Sequence, residues 1–216
     1  MSTKFASAYG IQPRACVVSN SAFVSPEAEF EVPAGPLTIG LLSNLTKEKG
    51  LHTFLELVRI LRADGFPARA ILAGPVESDL DRNLVDAASD DMNEILEYRG
   101  PLYGSSKETF YRDIDVFVFP TEYSHEAEPT VVFEALAAGA LLIAFDRGCI
   151  TSQVGTNGLV LPAGANFIEN SVEYLREAAH QLTPLRNERC SRIEAYRNLH
   201  SSSSVVVRRL FRELAG

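Results

Sequence analysis

From Pro36 onward the apolar positions of this chain alternate between two periods. Short runs rich in β-branched, aliphatic and aromatic residues read as strands: LTIGLLS (37–43), ARAILAG (68–74), EILEYRG (94–100), DVFVFP (115–120), ALLIAF (140–145) and GLVLP (158–162). The segments between them carry helical spacing. LHTFLELVRILRADG (51–65) sets Leu51, Phe54, Leu55, Val58 and Leu61 on one face and stops at Gly65. SDLDRNLVDAASDD (78–91) is a more polar helix, SKETFYRDI (106–114) a short one, and PTVVFEALAAGA (129–140) the most apolar. NSVEYLREAAHQL (170–182) and TPLRNERCSRIEAYRNLH (183–200) are amphipathic, and the serines at 201–204 predict a break before a last helix, VVVRRLFRELAG. Strands alternating with helices predict an α/β fold, a doubly wound parallel sheet with helices on both faces.

That architecture tells where chemistry belongs. Ligands of such sheets sit beyond the carboxyl ends of the strands, so the loops SNLTKEKG (43–50), AGPVES (73–78), RGPLYG (99–104) and TEYSHEAEPT (121–130) share one edge. The stretch from Asp113 to Asp146 carries the strongest signal there. Pro129 suits a first helical position, because its missing N–H needs no partner, and Gly139 ends the helix. Between Val131 and Phe145 the only charged residue is Glu134, and a carboxylate in so apolar a helix needs a partner or a polar ligand. An ion pair with a distant arginine remains the structural alternative.

The preceding loop carries Glu122, His125, Glu126 and Glu128 and runs into a helix N-terminus, which presents unpaired amides and about half a positive charge. Such an end suits phosphate. Glu126 and Glu128 equally suit the helix dipole, and His125 with these acids matches no zinc spacing. Lys49 and Gly50 open the helix after the first strand, where a lysine can neutralise a diphosphate or simply face solvent within its KEK run.

Composition narrows the class further. With 216 residues, 46% hydrophobic and 22% charged, the chain can bury a sizeable core, and a formal net charge of −8 argues against nucleic acid as partner. Cys16, Cys149 and Cys190 are widely spaced and form no CxxC, which suggests neither a disulfide framework nor a metal site and fits a reducing, cytoplasmic setting. MSTKFASAYG lacks the apolar core of a signal peptide, and no apolar run reaches the ~20 residues of a membrane span. Residues 1–36 hold one strand, ACVVSN (15–20), and a polar, proline-containing connection.

SHEAEPTVVFEALAAGALLIA resembles the donor-binding signature of the retaining GT-B glycosyltransferases, group 1 or family four, in which two glutamates eight positions apart precede a small-residue helix end. Glu126 and Glu134 stand at those positions. SNLTKEKG is similar to the family's "GRL...KG", with Lys49 at the lysine, Asn44 at the arginine and Ser43 at the glycine; RGPLYG is similar to its "f.G.v" turn, matched by Gly100, Pro101 and Leu102. The run 146–164 and the approach over 1–36 also have family-like forms.

The resemblance implies a Rossmann-like half of a GT-B enzyme: an interdomain segment (1–36), a nucleotide-sugar-binding domain (37–200) and a C-terminal helix (201–216). It further implies retaining transfer from a nucleotide-diphosphate sugar, with no cofactor and no required metal. Glu126 would be the catalytic residue, meeting sugar hydroxyls and the developing positive charge. Glu134 would hold the ribose, Lys49 with the amides of Thr130 and Val131 after Pro129 the diphosphate, and the turn at Gly100 and Leu102 the base. Asn44 brings no charge, which shifts neutralisation onto Lys49 and the helix end, with Lys47 as a possible substitute. The acceptor, a carbohydrate, lipid carrier or small molecule, would be held by an N-terminal GT-B domain in cis or trans, through which the protein would lie at a membrane surface. The alternatives are a non-catalytic nucleotide-sugar-binding subunit, a sugar-nucleotide epimerase of the same architecture, and a glycoside hydrolase using two carboxylates.

Overall fold

The computed structural model describes residues 17–26 and 33–215. Six strands, β1 (Leu37–Leu42), β2 (Ala68–Ala73), β3 (Leu96–Tyr98), β4 (Val116–Phe119), β5 (Leu141–Phe145) and β6 (Gly158–Leu161), form one sheet in the order β3-β2-β1-β4-β5-β6. Every pairing is parallel. The expected doubly wound sheet is therefore present. The continuous apolar runs follow from burial on both faces: every residue of β1 and β4 is buried.

Helices follow the strands: α1 (Leu51–Ala63), α2 (Asp79–Asp91), α3 (Ser105–Asp113), α4 (Thr130–Ala137), α5 (Ile150–Val154), α6 (Phe167–His180), α7 (Leu182–Asn187) and α8 (Arg189–Ala215). The five apolar positions of α1 are all buried. Ser78 caps α2 by accepting from the Asp81 amide, and Asn166 caps α6 by accepting from that of Glu169, so α6 starts earlier than its apolar spacing suggests.

Order reverses at β1, which pairs with β2 on one side and β4 on the other. The loops leaving β1 and β4 therefore border the crevice that such a reversal leaves at the carboxyl edge. They are the loops that carry Lys49 and Glu126.

Buried polar groups tie the C-terminal helices to the sheet. Asp115, directly before β4, accepts from Arg186 Nε (2.9 Å) and Nη2 (2.8 Å) and from the Thr38 amide (3.0 Å). Arg189, 1% exposed, donates to the carbonyls of Tyr111, Ile114 and Ala138. These carbonyls lie at the ends of α3 and α4, where a cation also meets the negative end of each helix dipole. One guanidinium thereby fixes the mutual placement of two helices.

Four expectations need correction. The stretch 183–200 is not one helix: α7 ends at Asn187, Glu188 is a turn, and α8 begins at Arg189. The helix does not break at 201–204: α8 continues through the four serines to Ala215. Ser202 Oγ donates back to the Asn198 carbonyl (2.9 Å), and Ser203 receives the Ser21 hydroxyl (2.8 Å), so these two hydroxyls find partners without leaving the helix. The strand expected over 15–20 is not formed by its described residues, Ala15 and Cys16 lying outside them. Val17 to Ser19 are irregular and Asn20–Phe23 is a 3-10 helix, held by α8 through Tyr196 and His200. Pro129 is the cap of α4, not its first helical residue: its ψ of 128° is extended, and its carbonyl accepts from the Val132 amide and Gln153 Nε2. The linker residues 27–32 and the first ten residues also lie outside the described set.

Candidate functional site

The loop from β1 to α1 turns back at Gly50, whose φ of +91° a side chain would strain and whose Cβ would lie 2.5 Å from Pro120 Cγ. This close approach sets the β1 loop against the end of β4. The Glu122 amide donates to the Glu48 carbonyl (2.8 Å), which ties the two loops together at this point. On the other side, Gly148 (φ +54°) lies directly beneath residues 126–127, and the Cys149 amide donates to the Ala127 carbonyl (2.7 Å).

The result is a cleft of about 530 Å³ at the carboxyl edge, within the range of small-molecule sites. Asn44, Lys49, Leu102, Glu126, Pro129, Thr130 and Val131 all line it, so seven of the nine residues expected at a site come together. Lys49 Nζ donates to Glu126 Oε2 (2.7 Å) and stands 4.2 Å from the centre of the Tyr123 ring. The buried Thr121 hydroxyl donates to the same carboxylate oxygen (3.1 Å). The N-terminus of α4 borders the same cleft, where its first amides have no intrahelical carbonyl to reach.

Two expected residues stand apart. Gly100 does not line this cleft, and its carbonyl accepts from the Gly74 amide (2.8 Å), which pins the β3 loop to the end of β2. Glu134 opens instead into an adjoining cleft of about 340 Å³, with Phe23, Val24 and Tyr111. Among the described residues, only Gly104 and Lys107 belong to both clefts. Glu134 Oε1 accepts from Lys107 Nζ (2.6 Å) and Oε2 from Tyr111 Oη (2.9 Å). The partner of this carboxylate is thus a lysine and a tyrosine, not a distant arginine. Burial, and then the neighbouring Glu134 charge, push the Tyr111 hydroxyl well above the usual phenol range, so it remains a donor.

Lys107 is the residue that sequence reasoning misses. It sits in the polar first turn of a short helix, and its one available signal is that α3 directly follows a strand-end loop. Lys47, considered as a substitute cation, is exposed and does not line the cleft. Glu128 also turns away from it: its carboxylate accepts from Ser19 Oγ (2.9 Å) and the Asn20 amide (2.7 Å), and it thereby holds the 3-10 helix against α4. His125 is exposed, beside Ser124. Glu126 and Glu134 line different, adjoining clefts. Among the described residues no helix is long and apolar enough to cross a membrane.

A family model described as "Glycosyl transferases group 1" matches residues 36–183. The protein of Salmonella typhimurium named "Putative colanic acid biosynthesis glycosyltransferase WcaL" is 29% identical over 140 residues, 61% of this chain and 34% of that protein. Its Escherichia coli K12 namesake is 31% identical over 115 residues, 50% and 28% of the two chains. The chain spans about a third of the length of these curated relatives. Among solved structures, a point variant of S. aureus TarM in complex with fondaparinux, alpha-GlcNAc-glycerol and UDP has a TM-score of 0.72 at 12% identity, covering 97% of this chain and 41% of that one. The pneumococcal O-GlcNAc transferase GtfA in complex with UDP and GlcNAc has a TM-score of 0.69 at 15% identity, covering 89% and 38%. At such identities the likeness shows the fold.

Proposed function

The chain belongs to the group 1 glycosyl transferases, and from that premise we propose that its carboxyl-edge cleft binds a nucleotide-diphosphate sugar as donor for glycosyl transfer with retention at the anomeric carbon. The observation that carries this reading is the convergence of Lys49, Glu126 and the N-terminus of α4 on one cleft. A lysine and unpaired helix amides bind a diphosphate, and a carboxylate beside them accepts from sugar hydroxyls.

In this reading the bond from the anomeric carbon to the diphosphate breaks while positive charge develops on the sugar. Lys49 and the Thr130 and Val131 amides stabilise the departing diphosphate, and Glu126 faces the sugar. Neutralisation runs through these groups and not through a metal ion. Asn44 contributes hydrogen bonds without charge. Glu134 takes the ribose hydroxyls where the two clefts adjoin, and the backbone near Leu102 meets the base. The acceptor, a carbohydrate, lipid carrier or small molecule, is held by an N-terminal GT-B domain in cis or trans, and the reaction takes place on the cytoplasmic side.

Calorimetric titration with UDP, GDP and ADP tests the reading. Saturable binding of one of them is expected, lost in Glu134→Ala, with Lys49→Ala weakening the diphosphate more than the nucleoside. Failure of all three to bind, both to this chain and to the chain joined to an N-terminal half, overturns it.

A further inference from the structure

The carboxylate of Glu134 is held by two donors, one on each oxygen. Lys107 Nζ meets Oε1 at 2.6 Å and Tyr111 Oη meets Oε2 at 2.9 Å. A carboxylate offers about four lone-pair directions, two per oxygen, so one on each oxygen remains open. A pair of adjacent hydroxyl donors needs two such acceptor positions, one on each oxygen. With a side-chain exposure of 21%, the carboxylate is open to a ligand yet too enclosed to be fully hydrated.

The surroundings hold this geometry still. Tyr111 is 3% exposed, packs edge-on against Phe110 (5.1 Å between ring centres) and Phe117 (5.6 Å), and so has little freedom to rotate away. Arg189 binds the carbonyls at the ends of α3 and α4, which fixes the helix bearing Lys107 and Tyr111 against the helix bearing Glu134. Glu134 lies four residues after Thr130, one turn and about 6 Å further along the axis, on the same face. A group bound to Glu134 is thus displaced by about a turn from one bound at the helix end, and Lys107 stands where the two clefts meet.

We propose that Lys107 and Tyr111 are positioning residues that present Glu134 as a two-pronged acceptor for a vicinal diol, so that this site selects ribonucleotides over 2′-deoxyribonucleotides. The inference rests on the donor-site reading above. Lys107 carries the larger part, because a charge-assisted bond orients a carboxylate more strongly than a neutral one.

The experiment compares UDP, GDP and ADP, each against its 2′-deoxy counterpart and its nucleoside, by calorimetric titration of the chain. Each hydrogen bond to a charged group is worth about 1.5–3 kcal/mol, so the unmodified chain should prefer the ribonucleotide by about tenfold or more. Lys107→Met should reduce that preference to within about threefold, with the diphosphate-to-nucleoside preference unchanged and with Lys107→Arg restoring the selection. Tyr111→Phe, which removes only the hydroxyl, should reduce it by a smaller factor. If Glu134→Gln abolishes the ribose preference while Lys107→Met leaves it intact, the positioning role is overturned and the donor-site reading survives. If Lys107→Met instead reduces the diphosphate-to-nucleoside preference, Lys107 acts on phosphate and the inference fails in the same way. Failure of all three diphosphates to bind, both to this chain and to the chain joined to an N-terminal half, overturns both.

Discussion

Lys49 Nζ lies 2.7 Å from Glu126 Oε2, so the cation proposed for the diphosphate and the carboxylate proposed for the sugar are each other's partner. The side chains are 24% and 11% exposed, which makes the pair more than a solvent-screened surface contact. Binding a donor must exchange this bond for two others. Glu126→Gln should therefore release Lys49 and tighten binding of the free nucleoside diphosphate by about two- to tenfold, while weakening the intact sugar nucleotide. Titration with both ligands reads the opposite signs, and a change of the same sign in both would remove the competition between the two groups.

The Asp115–Arg186 pair predicts a different kind of loss. Asp115 is 1% exposed and also receives the Thr38 amide, so removing its partner leaves a charge buried beside the sheet. Arg186→Met should cost about 3–5 kcal/mol of stability, measured by urea unfolding. Replacing both partners by apolar residues should cost less than replacing Arg186 alone.

Gly148 supports the floor of the site. A Cβ there would lie 2.2 Å from the Ala127 carbonyl and 2.3 Å from that of Glu126, and its φ of +54° is unfavourable for any side chain by about 1–2 kcal/mol. Gly148→Ala should push the 126–127 segment outward and weaken donor binding severalfold although Lys49 and Glu126 are unchanged. Unaltered affinity with lowered stability would show that the loop adjusts without moving the carboxylate.

Glu128 offers a control outside the cleft. Its bonds to Ser19 and Asn20 join the 3-10 helix to the start of α4. Glu128→Ala should destabilise the chain by about 1–3 kcal/mol in denaturant unfolding and leave nucleotide affinity within about twofold. A large loss of affinity at unchanged stability would assign it to the ligand instead.

Much of this arrangement is legible in the letters, and the reasons differ by element. The strands and helices are legible because burial on two faces or one produces distinct periods: β1 and β4 have no exposed position, whereas α1 shows an apolar stripe. Lys49, Glu126 and the start of α4 are legible as a group because all three follow strand ends. The serines at 201–204 mislead because Ser is a poor helix former by itself, and only the hydroxyl partners at Asn198 and Ser21 reveal why the helix continues. Pro129 is misplaced by one position because the residue type alone does not distinguish a cap from a first helical residue.

By itself, the sequence determines the α/β class, the edge of the sheet that carries the site and the residue types gathered there. These follow from local periodicity and from the direction in which parallel strands end. The tertiary structure decides the pairings. Lys49 and Glu126 are 77 residues apart, and Lys107 and Glu134 are 27 apart, beyond any local spacing rule. It also separates Glu128 from the cleft, divides Glu126 and Glu134 between two adjoining clefts, and places Lys107 where those clefts meet. The physical reason is common to all of these. A charged side chain takes its role from the group that packing brings within about 3 Å of it, and that distance exists only once the helices are fixed against the sheet.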